Sequence, residues 1–326
     1  MGYRVYTALQ WAIVFSTVLG ILFGGGLLNA ALAERIYVAN MDDGTISVVD
    51  SKGLKPLATI DAQGKNTHDL WLAPDGKRLF ATNMATGTIT VVDTGTNQVI
   101  KTVQTGNLTH TVCLTPDGKE AWINAGNEDH IPIVDTATLT VVAKVPLGEP
   151  PGTGHTWFSS DGKRAYMTSP KLSQVIVLDV AGRKVLKRIP VGKGPTFIQV
   201  SRNNREVWGT NTAESSIYLI DAASDTVKAT IEVGKNPNHL TLLGNLIFVT
   251  LGGQDEVAIV DVKSHKVVGR IQVGRRPHGI WPSLDGKQIY VVHEESSDLR
   301  AIDVATRSVL GGVPVGKKPI AVVVAK

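Results

Sequence analysis

Histidine is the side chain of this sequence whose type and spacing could do chemistry. Four of its eight histidines follow the same kind of turn: GKNTHDL at 64–70, GNLTHTV at 106–112, GEPPGTGHTW at 148–157 and GRRPHGI at 274–280. A neutral imidazole offers one lone pair, and three or four that converge can hold copper, zinc, iron or nickel. One or two suffice as axial ligands of a haem iron, given a slot for the macrocycle. His68, His110, His155 and His278 are therefore the candidate metal or haem ligands, with copper or a non-covalent haem as the candidate cofactor. His239 in GKNPNHL stands one residue out of their register, and His130 in NEDHIP and His293 in VVHEE flank other loops, so these three are peripheral candidates. Asp69, Glu128, Asp129, Glu294 and Glu295 are near enough in sequence to orient imidazoles. A single histidine after a turn is more often a structural residue than a ligand, so the weight rests on the set.

The elements that position these residues follow from a repeat. Aspartates end apolar runs at Asp50, Asp93, Asp135, Asp179, Asp221, Asp261 and Asp303, and glycines mark the next turn at Gly64, Gly106, Gly148, Gly192, Gly234, Gly274 and Gly316. Both markers recur about every 42 residues, the period of one four-stranded propeller blade. Each unit reads as four short runs rich in Val, Ile and Thr, joined by D-G and Gly-Pro turns, with no helix-length apolar period. Seven units fill residues 34–326. The expected fold is all-β, a seven-bladed β-propeller of four-stranded antiparallel blades.

Units such as RIYVANMDDGTISVVD, followed by APDGK and a GxxP turn, resemble the YVTN family of bacterial and archaeal β-propeller repeats over the whole of residues 34–326. The resemblance implies an extracytoplasmic propeller acting as a scaffold, an adhesin, a haem-binding domain related to cytochrome d1-type propellers, or a redox accessory. Fold resemblance alone does not choose among them. No CxxCH is present, so any haem would be non-covalent.

The chain enters the repeat at a second strand, RIYVAN, and leaves it at a first strand, PIAVVVAK. Residues 319–326 are therefore expected to pair with strands of 35–63 and close the ring, which removes exposed sheet edges. Following strand directions, the GxxP turns and the loops after second strands share one face, here the upper one. Seven of the eight histidines fall on it, and only His265 lies below. The same face carries Lys65, Lys193, Lys235, Arg275, Arg276, Lys317 and Lys318, a positive rim suited to an anion or an acidic partner. Without interleaved aromatic platforms the rim argues against nucleic acid. Trp71, Trp122, Trp157, Trp208 and Trp281 read as packing between blades.

Residues 1–33 stand apart: one Arg, a long apolar run and Ala31-Leu32-Ala33 have the layout of a cleaved secretory signal peptide. The alternative is an uncleaved anchor through residues 9–28. Either places residues 34–326 outside the cytoplasm, in the periplasm or secreted. The single cysteine, Cys113, cannot form an internal disulfide. No P-loop, GxSxG, HExxH or CxxC is present. The expected function is thus a monomeric binding or scaffold protein that holds a protein partner or small ligand on its upper face. The alternatives are a redox or metal-handling accessory at the histidines and, more weakly, a metal-dependent lyase or lactonase.

Overall fold

A computed structural model of the chain describes residues 34–326. Those residues form 28 strands, from β1 (Arg35–Asn40) to β28 (Pro319–Ala325), with two short 3-10 turns. They make seven four-stranded antiparallel sheets, and six of the seven are built from consecutive strands. The seventh has the order β28, β1, β2 (Thr45–Asp50), β3 (Lys55–Asp61), so the last strand pairs with the first, from Arg35 opposite Ala325 to Asn40 opposite Pro319. The seven-bladed propeller and its closure by residues 319–326 are therefore as expected. The signal-peptide and anchor readings fall on residues outside those described. Among the described residues no helix is long and apolar enough to cross a membrane.

The blades pack face to face, so their second and third strands are covered on both sides and run as unbroken apolar stretches. ITVV and IPIV are wholly buried in this way. Each second strand inserts one aromatic between blades: Tyr37, Phe80, Trp122, Tyr166, Trp208, Phe248 and Tyr290 are all at most 2% exposed. Trp122 and Trp208 satisfy their indole N–H groups by donating to Glu120 and Glu206 at 2.9 and 3.0 Å. The repeat aspartate is a turn device. In the third blade Asp135 Oδ1 accepts the Thr138 amide at 2.7 Å and its hydroxyl at 3.0 Å, and Asp221, Asp261 and Asp303 do the same for Ser224, Ser264 and Thr306.

Every sheet is irregular at its outer end, and six of the seven at their inner end. Every outermost strand skips one residue in its pairing, leaving Leu57, Ile100, Val142, Leu186, Lys228, Val268 and Leu310 unpaired. The innermost strands β4 (Thr67–Leu72), β8 (Thr109–Leu114), β16 (Pro195–Val200), β20 (Pro237–Leu243) and β24 (Pro277–Pro282) carry a register shift just after their first residue. These inner bulges place the histidines.

Candidate functional site

Five imidazoles from five blades close a ring at the upper mouth of the channel. Around it, centroid spacings are 4.1 Å from His68 to His110, 5.4 Å from His110 to His155, 4.8 Å from His155 to His239, 4.7 Å from His239 to His278 and 6.3 Å from His278 back to His68. The four histidines singled out in the sequence are thus brought together, and His239 joins them instead of lying at the periphery. Phe197 supports the ring from a sixth blade, stacking on His239 at 4.3 Å and tilting against His155 at 5.0 Å.

Sequence alignment placed His155 in the same slot as His68, His110 and His278, and the backbone corrects this. In three inner bulges the amide of the second residue donates to a threonine on the neighbouring strand: Asp69 to Thr82 at 2.9 Å, Phe197 to Thr210 at 3.0 Å and His239 to Thr250 at 3.0 Å. The His155 amide makes the same bond to Thr168 at 2.8 Å, so His155 shares the slot of His239 and Gly154 occupies that of His68. The extra residues of GEPPGTG conceal this offset. Because a bulge turns two consecutive side chains toward one side, both slots reach the channel.

His110, His155 and His278 each set Nδ1 against a main-chain carbonyl of another blade: Gly154 at 3.1 Å, Thr196 at 3.0 Å and Ile320 at 3.0 Å. A carbonyl only accepts, so Nδ1 carries the proton and Nε2 holds the free lone pair while the ring is neutral. His155 Nε2, His239 Nε2 and His68 Nδ1 are buried without any protein partner. Burial, followed by repulsion from the other imidazoles, holds the titration of His68, His155 and His239 well below the usual histidine range. Burial brings His110 down to about 4, against an opposing pull from the Gly154 carbonyl. His278, the most open of the five, is also lowered by burial, and Glu294 opposes that shift.

Beneath the ring lies a cavity of ≈ 20 Å³, bordered by Asp69, His155, Phe197, His239, Trp71 and Trp157. That is room for about one water. Asp69 is buried there with Oδ2 accepting the Val112 amide at 3.1 Å, and burial pushes its carboxyl up to about 7 against two backbone donors. Deeper still, Trp71, Trp157 and Trp281 meet across the channel at 5.0, 6.0 and 6.1 Å. These three tryptophans plug the channel, whereas Trp122 and Trp208 pack between blades as expected. Their type was visible in the sequence. Their convergence needed the inner-strand register.

His130 and His293 lie outside the ring. His130 Nδ1 is 3.0 Å from Asp129 Oδ1. His293 is fully buried with Nδ1 2.9 Å from Asp298 Oδ1, at the strand-end position that Asn40, Asn83 and Asn211 fill in other blades. Of the basic rim, Lys65, Lys193, Lys235, Arg275, Arg276 and Lys317 are exposed and Lys318 is half-buried. Arg276 pairs with Glu294 at 3.2 Å.

The copper expectation finds no metal-holding group in this geometry. Among the described residues no three His, Cys, Asp or Glu side chains form a group that could hold a metal ion.

The fold and the closed mouth define the class of protein: a seven-bladed β-propeller with a histidine-lined channel. Within that class, the family model described as a YNCE-like beta-propeller matches residues 24–134. No curated protein matches the sequence. Among solved structures, the chain is similar to hydrazine synthase of Kuenenia stuttgartiensis at 19% identity, over 78% of this chain and 88% of that one, with a TM-score of 0.71. A functionally unknown protein from Desulfotomaculum acetoxidans aligns at 13% identity, over 89% and 98% of the two chains, with a TM-score of 0.79. Dihydro-heme d1 dehydrogenase NirN in complex with DHE aligns at 14% identity, over 89% and 74%, with a TM-score of 0.66. At these identities the likeness is one of fold.

Proposed function

We propose that the chain is an extracytoplasmic binding protein whose ligand site is the histidine-lined mouth on the upper face of the propeller. The observation that carries this reading is the convergence of five imidazoles from five blades with the buried nitrogens of His68, His155 and His239 left unpartnered. A propeller core has no need of such a cluster, because an unpartnered buried polar atom costs about 1–3 kcal/mol. Thr196, Asn238 and Ile320 occupy the slot of His68 in other blades, so the repeat tolerates other residues there. The extracytoplasmic placement rests on residues 1–33 and on the repeat resemblance.

The test is to purify the protein from its native cells, record its visible spectrum and metal content, and identify bound small molecules by mass spectrometry. We expect a ligand that accompanies the wild type and is absent from a variant with all five histidines changed to asparagine. If a variant that still unfolds cooperatively retained the same ligand, the mouth would not be the site.

A further inference from the structure

Resting on that reading of the mouth, the donor and charge pattern points to the class of ligand. A neutral ring presents lone pairs at His110, His155 and His278 Nε2, because their Nδ1 protons are committed to carbonyls. A metal cation would need three of these donors in one group and has no such group. It would also sit beside cations. Lys318 stands in the turn leading to Ile320, whose carbonyl accepts from His278, and it forms no ion pair among the described residues. Its charge and that of Arg276 both act on His278, and that of Lys318 reaches His68 as well.

The backbone did not ask for basic residues there. Lys318 and Arg276 have φ of 52° and 55°, in the left-handed region, at the turn position that Asn66, Leu108, Gly194 and Asn236 fill in other blades. Glycine and asparagine adopt that conformation most cheaply, and other residues cost about 1 kcal/mol more. Two of these positions, both flanking the ring, carry cations.

We propose that the mouth captures a small oxyanion, a carboxylate or an inorganic one, together with one proton from solvent taken up at an imidazole Nε2. In the bound state one imidazole, His110 or His278, would donate Nδ1–H to the main chain and its newly protonated Nε2–H to the anion, a charge-assisted bond, with Lys318 offsetting negative charge beside it. The groups facing the ring are its five histidines, Asp69 from beneath, and Lys318, Arg276 and Glu294 from the turns. Lowering the pH favours imidazole protonation and also neutralises Asp69, which otherwise repels an anion. Both effects act in one direction, so affinity rises as pH falls. One proton taken up per anion gives about tenfold tighter binding per pH unit.

The experiment is calorimetric titration of the purified protein with sodium formate, nitrate and phosphate at pH 5.5 and 7.5, in buffers of different ionisation enthalpy. We expect at least one anion to bind at least tenfold tighter at pH 5.5, with proton uptake visible as a buffer-dependent heat. His110→Gln combined with His278→Gln should abolish the pH dependence. Lys318→Met, which leaves the ring intact, should weaken binding about tenfold at both pH values with proton uptake unchanged. Absence of binding by all three anions at pH 5.5, or binding without proton uptake, overturns the proposal. Zinc or copper(I) binding at pH 7.5 that is lost in the double histidine variant overturns the anion class and keeps the mouth as the site. Anion binding of undiminished strength in the folded double variant overturns both.

Discussion

The innermost and outermost strands of this propeller share an irregularity, the β-bulge, and use it for opposite ends. At the rim of the ring the bulged residue points to water: Leu57, Ile100, Val142, Leu186, Val268 and Leu310 are 43–54% exposed. There the bulge interrupts the row of free N–H and C=O groups that would otherwise template another strand. At the channel the bulge turns two neighbouring side chains inward, and His68 with Asp69, or Asn238 with His239, enter the same small space. The outer residues are interchangeable, since Lys228 takes the place of an aliphatic in one blade. The inner residues differ from blade to blade, and that variation makes the ring asymmetric. A repeat protein can thus hold its scaffold constant and write its site into one position per blade.

Closure of the ring is the strongest way to break this arrangement. Removing residues 319–326 takes away the inner strand of one blade and leaves the edge of β1 unpaired, so we expect loss of cooperative folding, checked by circular dichroism during thermal unfolding. The packing between blades comes next. Trp208→Ala should cost about 3–5 kcal/mol by urea denaturation, as a fully buried aromatic that leaves a cavity.

The channel responds to pH through Asp69. Asp69 titrates at about 7 in the folded protein against an ordinary value of 3.8. A carboxyl whose folded value is raised contributes stability below the unfolded value, and that contribution is lost as pH rises through about 7. Asp69→Asn should therefore stabilise the protein at pH 8 by up to about 4 kcal/mol and leave stability at pH 4 nearly unchanged. Thermal unfolding at the two pH values checks it, and an equal effect at both would remove the carboxyl's titration from the account.

His239→Leu should be milder. It replaces an unpartnered buried imidazole by an apolar group of similar size against Phe197, and should raise stability by about 1 kcal/mol at neutral pH. The smallest effect is expected at the rim. Leu310→Thr should change stability by less than about 0.5 kcal/mol, and a larger loss would mean that the exposed belt is covered by something in solution.

Much of this was legible from spacing alone. The blade count, the strand order and the closing strand followed from two markers of one period, because each blade must present the same geometry to its neighbours. A third marker went unread: the aromatic that opens between blades at Tyr37, Phe80, Trp122, Tyr166, Trp208, Phe248 and Tyr290 keeps the same period. The site was legible in part. His68, His110 and His278 could be aligned because equal turn lengths precede them. The longer GEPPGTG turn hides where its strand begins and shifts His155 by one residue, whereas the register of His239 is legible and only its entry into the ring needs the bulge.

The amino-acid sequence by itself determined the all-β repeat, the number of blades and the face on which histidine and basic residues gather, since these depend on local turn chemistry and on periodicity along the chain. Only the tertiary structure decided that two register slots, through bulged inner strands, deliver five imidazoles into one ring above Asp69 and a plug of three tryptophans. Bulges and cross-channel distances arise from how seven twisted sheets close upon one another, and no stretch of the chain encodes that closure alone.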